Sequence, residues 1–210
     1  MGLGPGLAYD PVAEGELATL VTFLEMHQPP AAPVPPTSLT LKHHAAVALD
    51  DYRRLFRRVG ARWLWFSRLL RDDAELAAIL HHPAVEFYTV HDADGAEIGL
   101  LELDFREPGE CELAFVGLVP ELAGHGHGRW LLAEAVRRAW AGDGVTRVHV
   151  HTCALDHPAA IAAYVRAGFV PFKRAVERFV DPRLLGILPA DCAPQVPLLG
   201  TAPRAPRPAS

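Results

Sequence analysis

Asparagine is missing from this 210-residue chain, and all of its 20 basic side chains except Lys42 and Lys173 are arginine. That bias fits GC-rich codons and a bacterial origin. There is no excess of positive charge: the formal net charge is −5, which argues against a general nucleic-acid binder. No apolar run approaches the ~18 residues of a membrane span. Met1 to Gly6 carries no basic region before an apolar core, so it does not read as a signal peptide. Gly6 also breaks the myristoylation pattern that Gly2 begins. Cysteine is scarce, with Cys111, Cys153 and Cys192 far apart, which suits a reducing cytoplasm better than a disulfide scaffold. The expected protein is cytoplasmic, with no membrane or nucleic-acid partner. Apolar residues are not lacking. They make up 50% of the chain, enough for one sizeable core.

Leu17 to Leu24 is an apolar, β-branched run that predicts a strand. Five prolines between His27 and Thr37 exclude a helix there. Leu49, Tyr52, Phe56 and Val59 fall at helical spacing, and a second helix is expected from about Arg62 to Leu80, rich in aromatics at Trp63, Trp65 and Phe66. Val85–His91, Ile98–Arg106 and Cys111–Val119 predict an antiparallel meander, its turns at Asp92-Ala93-Asp94-Gly95 and Glu107-Pro108-Gly109. A helix with Leu131, Leu132, Ala135, Val136, Ala139 and Trp140 on its buried stripe comes next. A strand over Val145–Thr152, a helix that Gly168 ends, and a strand over Phe169–Val180 complete the α/β (α+β) pattern. The organisation predicted is an extension over 1–14, one domain over 15–180, and a Pro/Ala-rich tail over 181–210 whose last residues, from Thr201, are expected to be disordered.

The densest chemistry lies at Pro120 to Arg129, where Gly124, Gly126 and Gly128 alternate with His125 and His127 between a strand and a helix. Glycine admits close approach of a ligand to the backbone. A helix start offers unpaired N–H groups and partial positive charge, so this turn is an anion site, best suited to phosphate.

The element order, Leu118-Val119-Pro120 before the three glycines, and Ala160-x-x-x-Tyr164-x-x-x-Gly168-Phe169 together resemble the GNAT superfamily of acyl-CoA-dependent N-acetyltransferases. The resemblance spans about 15–180. It implies a mixed, mostly antiparallel sheet flanked by helices. The strands at Cys111–Val119 and Val145–Thr152 should splay around acetyl-CoA as co-substrate. It places the pyrophosphate on Ala123, Gly124, His125, Gly126, His127, Gly128 and Arg129, and the pantetheine arm beside Leu118 and Val119, with the Leu118 amide polarising the thioester carbonyl. Ala123 departs from the family, which usually has Arg or Gln there. Asp156-His157-Pro158 also departs, standing where many members have a capping Asn. Family members often pair through elements near the C-terminus, so a homodimer is an expectation carried by the resemblance.

Acyl transfer to an amine needs the neutral amine, roughly one molecule in a thousand at pH 7 for a pKa near 10. Glu112 is the first candidate general base. Glu102, Asp104, His151 and Cys153 are alternatives. Tyr164 matches the family tyrosine that protonates the departing sulfur. His149 and His151 share a strand face, but no third ligand stands at a recognisable spacing, so no metal is expected. The aromatic run Trp63 to Phe66 reads either as core or as an acceptor wall.

The function expected is transfer of an acetyl group from acetyl-CoA directly to a primary amine of a small molecule, since the chain shows no acidic tract or peptide-binding motif. A protein or peptide acceptor, or a non-catalytic acyl-CoA-binding module, is the alternative. A Rossmann site is disfavoured because Arg129 occupies the third small-residue position.

Overall fold

The computed structural model describes residues 9–122 and 126–200. Ala123, Gly124 and His125 of the glycine turn lie outside the described residues, as do Met1 to Ala8 and the stretch from Thr201.

One seven-stranded sheet carries the architecture, in the order β2-β3-β4-β5-β6-β1-β7. Its strands are β1 (Glu16–Met26), β2 (Thr40–His44), β3 (Val85–His91), β4 (Glu97–Asp104), β5 (Glu110–Leu118), β6 (Arg147–Cys153) and β7 (Val170–Val180). The helices are α1 (Leu49–Gly60), α2 (Asp73–Leu80), α3 (His127–Trp140) and α4 (Ala160–Ala167). Only the β5–β6 pair is parallel. The expected mixed, mostly antiparallel sheet with flanking helices is therefore present.

Periodicity explains the helices that flank it. α1 buries Tyr52, Leu55, Phe56 and Val59, and α3 buries Leu131, Leu132, Ala135, Val136 and Ala139, each a single stripe on the sheet. Both helices pack on β4 and β5, so they occupy opposite faces. The continuous core between the layers includes Leu24, Phe87, Leu100, Leu113 and Val150.

Three features differ from expectation. First, Thr40–His44 forms a strand, β2, that the sequence does not predict and that pairs with β3. β1 runs antiparallel between β6 and β7, pairing Val21 with Cys153 on one side and with Ala175 on the other. Both of its faces carry apolar groups, which suits an interior strand. Second, the helix expected from Arg62 to Leu80 is broken. A 3₁₀ turn at Ala61–Trp63 ends with Leu64 at φ 55°, and α2 begins only where Asp72 and Glu75 form a reciprocal capping box. The side chain of Leu64, buried to 3% exposure, holds that left-handed backbone against Leu188. Third, residues after Val180 pack on the domain. Leu188 and Ala193 form a small core with Leu64, and the buried Arg183 donates to Asp181 and to the carbonyls of Ala193 and Val196.

Candidate active site

β5 and β6 pair only from Glu110–Arg147 to Glu112–His149. Immediately beyond, β5 carries a bulge: Leu113 faces Leu103 and Phe115 faces Glu102, leaving Ala114 as the extra residue. A bulge bends and twists its strand. From there β5 follows β4, while β6 follows β1 out to Cys153. The two parallel strands thus open into a wedge, the splay that the family resemblance implies.

A cleft of about 1500 Å³ passes through this wedge. Its lining includes Gly126, Gly128 and Arg129 at the start of α3, Tyr164 and Arg166 of α4, and Trp63, Phe66, His157, Glu177 and Phe179. Gly126, at φ 82°, makes the left-handed turn into α3, and Gly126, Gly128 and Arg129 are all exposed. The helix start is open to an anion.

Along β5 the main chain divides its work. The Val119 amide donates to the Ile98 carbonyl at 2.8 Å, and the Val119 carbonyl accepts from Leu122. With Gly99 opposite Leu118, that bond makes Gly99–Leu118 a non-hydrogen-bonded pair, so the Leu118 N–H points away from β4 into the wedge. Of the two residues expected to present backbone to a ligand, Leu118 has its amide available and Val119 has both groups engaged. Gly117 keeps the wall close, since a Cβ there would lie 2.8 Å from Val59 and 3.0 Å from Trp65.

The candidate bases separate clearly. Glu102 is fully buried, accepting from the Tyr52 hydroxyl at 2.7 Å and from the Arg68 guanidinium. Asp104 is engaged with Arg106. Neither lines the cleft, and each is spent in an ion pair, Glu102 with Arg68 and Asp104 with Arg106. Glu112 accepts from the His151 Nδ1 position at 3.0 Å, and it is His151 that lines the cleft. The bond to His151 holds the Glu112 carboxyl below its ordinary range. The bond to Glu112 raises His151 above the usual histidine value.

Tyr164 lines the cleft with its ring edge-on to Phe169, at 5.8 Å between centroids. Burial, and after it the nearby Asp156 carboxylate, push the phenol well above its usual range, so it stays a proton donor.

Asp156 does not cap α4; at its start the Ala159 amide donates to His157 Nδ1 at 3.1 Å. Asp156 accepts instead from the Trp65 indole at 2.8 Å, the Thr152 hydroxyl at 2.7 Å and the Cys153 amide at 2.9 Å. The aromatic run is thereby tied to the end of β6, with Phe66 4.8 Å from Phe179 and Trp63 5.2 Å from His157. Sequence reasoning did not find the Trp65–Asp156 bond, the Glu112–His151 pair or the β7 residues of the cleft. None leaves a local spacing signal, because each depends on strands distant in sequence. Among the described residues no group of three His, Cys, Asp or Glu side chains is arranged for a metal ion, and no helix is long and apolar enough to cross a membrane.

A family model described as acetyltransferase (GNAT) family matches residues 48–169. Solved structures share the fold. A GCN5-related N-acetyltransferase from Sphaerobacter thermophilus has TM-score 0.54 and 22% identity over 81% of this chain and 52% of its own. One from Kribbella flavida has TM-score 0.52 and 18% identity over 80% and 60%. A spermidine N-acetyltransferase chimera involving Vibrio cholerae has TM-score 0.51 and 23% identity over 65% and 83%. The chain thus spans only 52% and 60% of the length of the first two. No curated protein sequence matches it.

Proposed function

This chain belongs to the acetyltransferase (GNAT) family, and from that premise we propose that it moves an acetyl group from acetyl-CoA directly to the primary amine of a small molecule. The observation that carries this reading is the wedge after Glu112–His149, with the unspent Leu118 amide inside it and the exposed start of α3 at its mouth. The described residues fit the co-substrate. Gly126, His127, Gly128 and Arg129 would hold the pyrophosphate, joined by Ala123, Gly124 and His125 of the same turn. Leu118 would pair with the pantetheine end, and Val119 supports it from behind through its bond to Ile98. Acetyl-CoA supplies an activated acyl carbon and a thiolate leaving group.

The residues then act in sequence. His151, backed by Glu112, takes the proton that leaves the amine as nitrogen bonds to the acyl carbon. The Leu118 amide stabilises the negative charge that develops on the acyl oxygen. As the carbon–sulfur bond breaks, Tyr164 delivers its proton to the sulfur. Glu112 works through His151, holding it in place and favouring its protonated form. No covalent enzyme intermediate is required.

For partners, the reading is a small-molecule amine and a second copy of the chain. β7 is an edge strand exposing Val170, Phe172 and Val176, the kind of edge that a partner strand covers. The compartment in this reading is the cytoplasm of a bacterium.

Free-thiol release from acetyl-CoA across an amine panel tests the assignment, with CoA-induced thermal stabilisation measured alongside. Amine-dependent thiol release is expected. Stabilisation without release under any amine would favour a binding module, and absence of both would remove the CoA assignment.

A further inference from the structure

Three guanidinium groups line the cleft: Arg129 at the start of α3, Arg137 in its last turn, where Glu134 holds it, and Arg166 in the last turn of α4. Two carboxylates line it, Asp156 and Glu177. Asp156 is saturated by three donors. Glu177 is exposed on β7, opposite Thr19; among the described residues no hydrogen bond or ion pair holds it, and its charge reaches His151, where it helps to raise the imidazole. Phe179, two residues along, projects from the same face and packs against Phe66 with the rings tilted by 38°. Trp63 lines the same cleft, against His157.

Building on the acceptor side of the proposed reaction, we propose that Glu177 recognises the acceptor and that the acceptor is a monoamine with a compact apolar body. One unspent carboxylate matches one ammonium head, drawn by charge and held against aromatic faces. The apolar frame of such an amine covers Phe66, Phe179 and Trp63. A polyamine would bring further cations that find no second free carboxylate in the cleft. A free amino acid would bring its own carboxylate towards Glu177, and like charges repel.

Steady-state kinetics with phenethylamine, phenylalanine, spermidine, ethylamine and a lysine-bearing peptide test this. Phenethylamine is expected to give the highest kcat/KM. Glu177→Gln, a change at an exposed position, is expected to raise its KM about ten-fold (about 1.4 kcal/mol) with kcat within two-fold. Phe179→Leu should raise the KM for phenethylamine and leave that for ethylamine unchanged. An unchanged KM in Glu177→Gln, or preference for spermidine, phenylalanine or the peptide, overturns the proposal. Should no amine release thiol, the transfer reading fails on its own. Calorimetry of phenethylamine on the CoA-loaded protein then decides this one: binding weakened about ten-fold by Glu177→Gln supports it, and no binding, or binding indifferent to the substitution, overturns it.

Discussion

The Trp65 indole donates to Asp156 at 2.8 Å, closing a bridge between residues 91 positions apart. It ties the irregular segment after α1 to the loop that carries β6 into α4. The same carboxylate holds the end of β6 through Thr152 and Cys153, and it is one of the charges that keep Tyr164 protonated. One aspartate therefore fixes the acceptor wall and shapes the environment of the proposed acid.

Removing that carboxylate leaves three donors without their acceptor. Asp156→Ala is expected to lower stability by about 2–4 kcal/mol, since each lost bond to a charged group is worth about 1.5–3 kcal/mol and water repairs part of the loss in an open cleft. Trp65→Phe removes one of the three and should cost less than half as much. Urea denaturation of both variants checks the order, and a larger loss in Trp65→Phe would contradict the assignment.

Tyr164→Phe keeps the ring against Phe169 and removes only the hydroxyl. Turnover is expected to fall about 10²- to 10⁴-fold, the usual scale of general acid catalysis, with CoA affinity within two-fold of wild type. Unaltered kcat at saturating substrate would retire Tyr164 as the acid.

The Glu112–His151 pair sets a pH window for both rate and stability. His151 is raised above its ordinary 6.5, so its share of stability is fully present below that value and fades as pH rises through the folded value. Glu112 is lowered from 4.5, so its share is present above that value and fades as pH falls through the folded one. The rate needs His151 unprotonated, which puts the rising limb of the pH–rate profile above 6.5. Glu112→Gln removes the partner that raises His151. The limb should shift to lower pH, and a profile identical to wild type would clear the pair of this role.

Gly128 stands at the start of α3, with open space where a Cβ would be. Gly128→Ala should therefore fold normally and gain up to about 1 kcal/mol of helix propensity. The added methyl sits on the surface that the diphosphate is proposed to meet. KM for acetyl-CoA is expected to rise several-fold while the thermal midpoint holds or increases. A KM equal to wild type would place the anion elsewhere.

Local rules made much of this protein legible before any coordinates. Helical spacing of Tyr52, Phe56 and Val59, and of Leu131 to Ala139, fixes which faces are buried, because a 3.6-residue period leaves one stripe to pack. Alternating glycines between strand and helix mark an anion turn, because only a backbone free of side chains lets a phosphate approach. Tyr164 and Glu112 are candidates through the family resemblance; the structure sets Tyr164 on the cleft and Glu112 behind His151.

What the chain's order could not reveal is which distant segments become neighbours. The insertion of β1 between β6 and β7 is a contest between sheet edges, won by pairing and burial summed over eleven residues of strand. The helix expected across Arg62 to Leu80 gives way because Leu64 is worth more packed on Leu188 in a left-handed backbone than in a continued helical turn. The pairing of Glu112 with His151, the capture of Asp156 by Trp65, and the arrival of Glu177 and Phe179 at the cleft follow from those choices. Propensity is a property of neighbours in sequence. The chemistry of this cleft depends on neighbours in space, which only the folded sheet supplies.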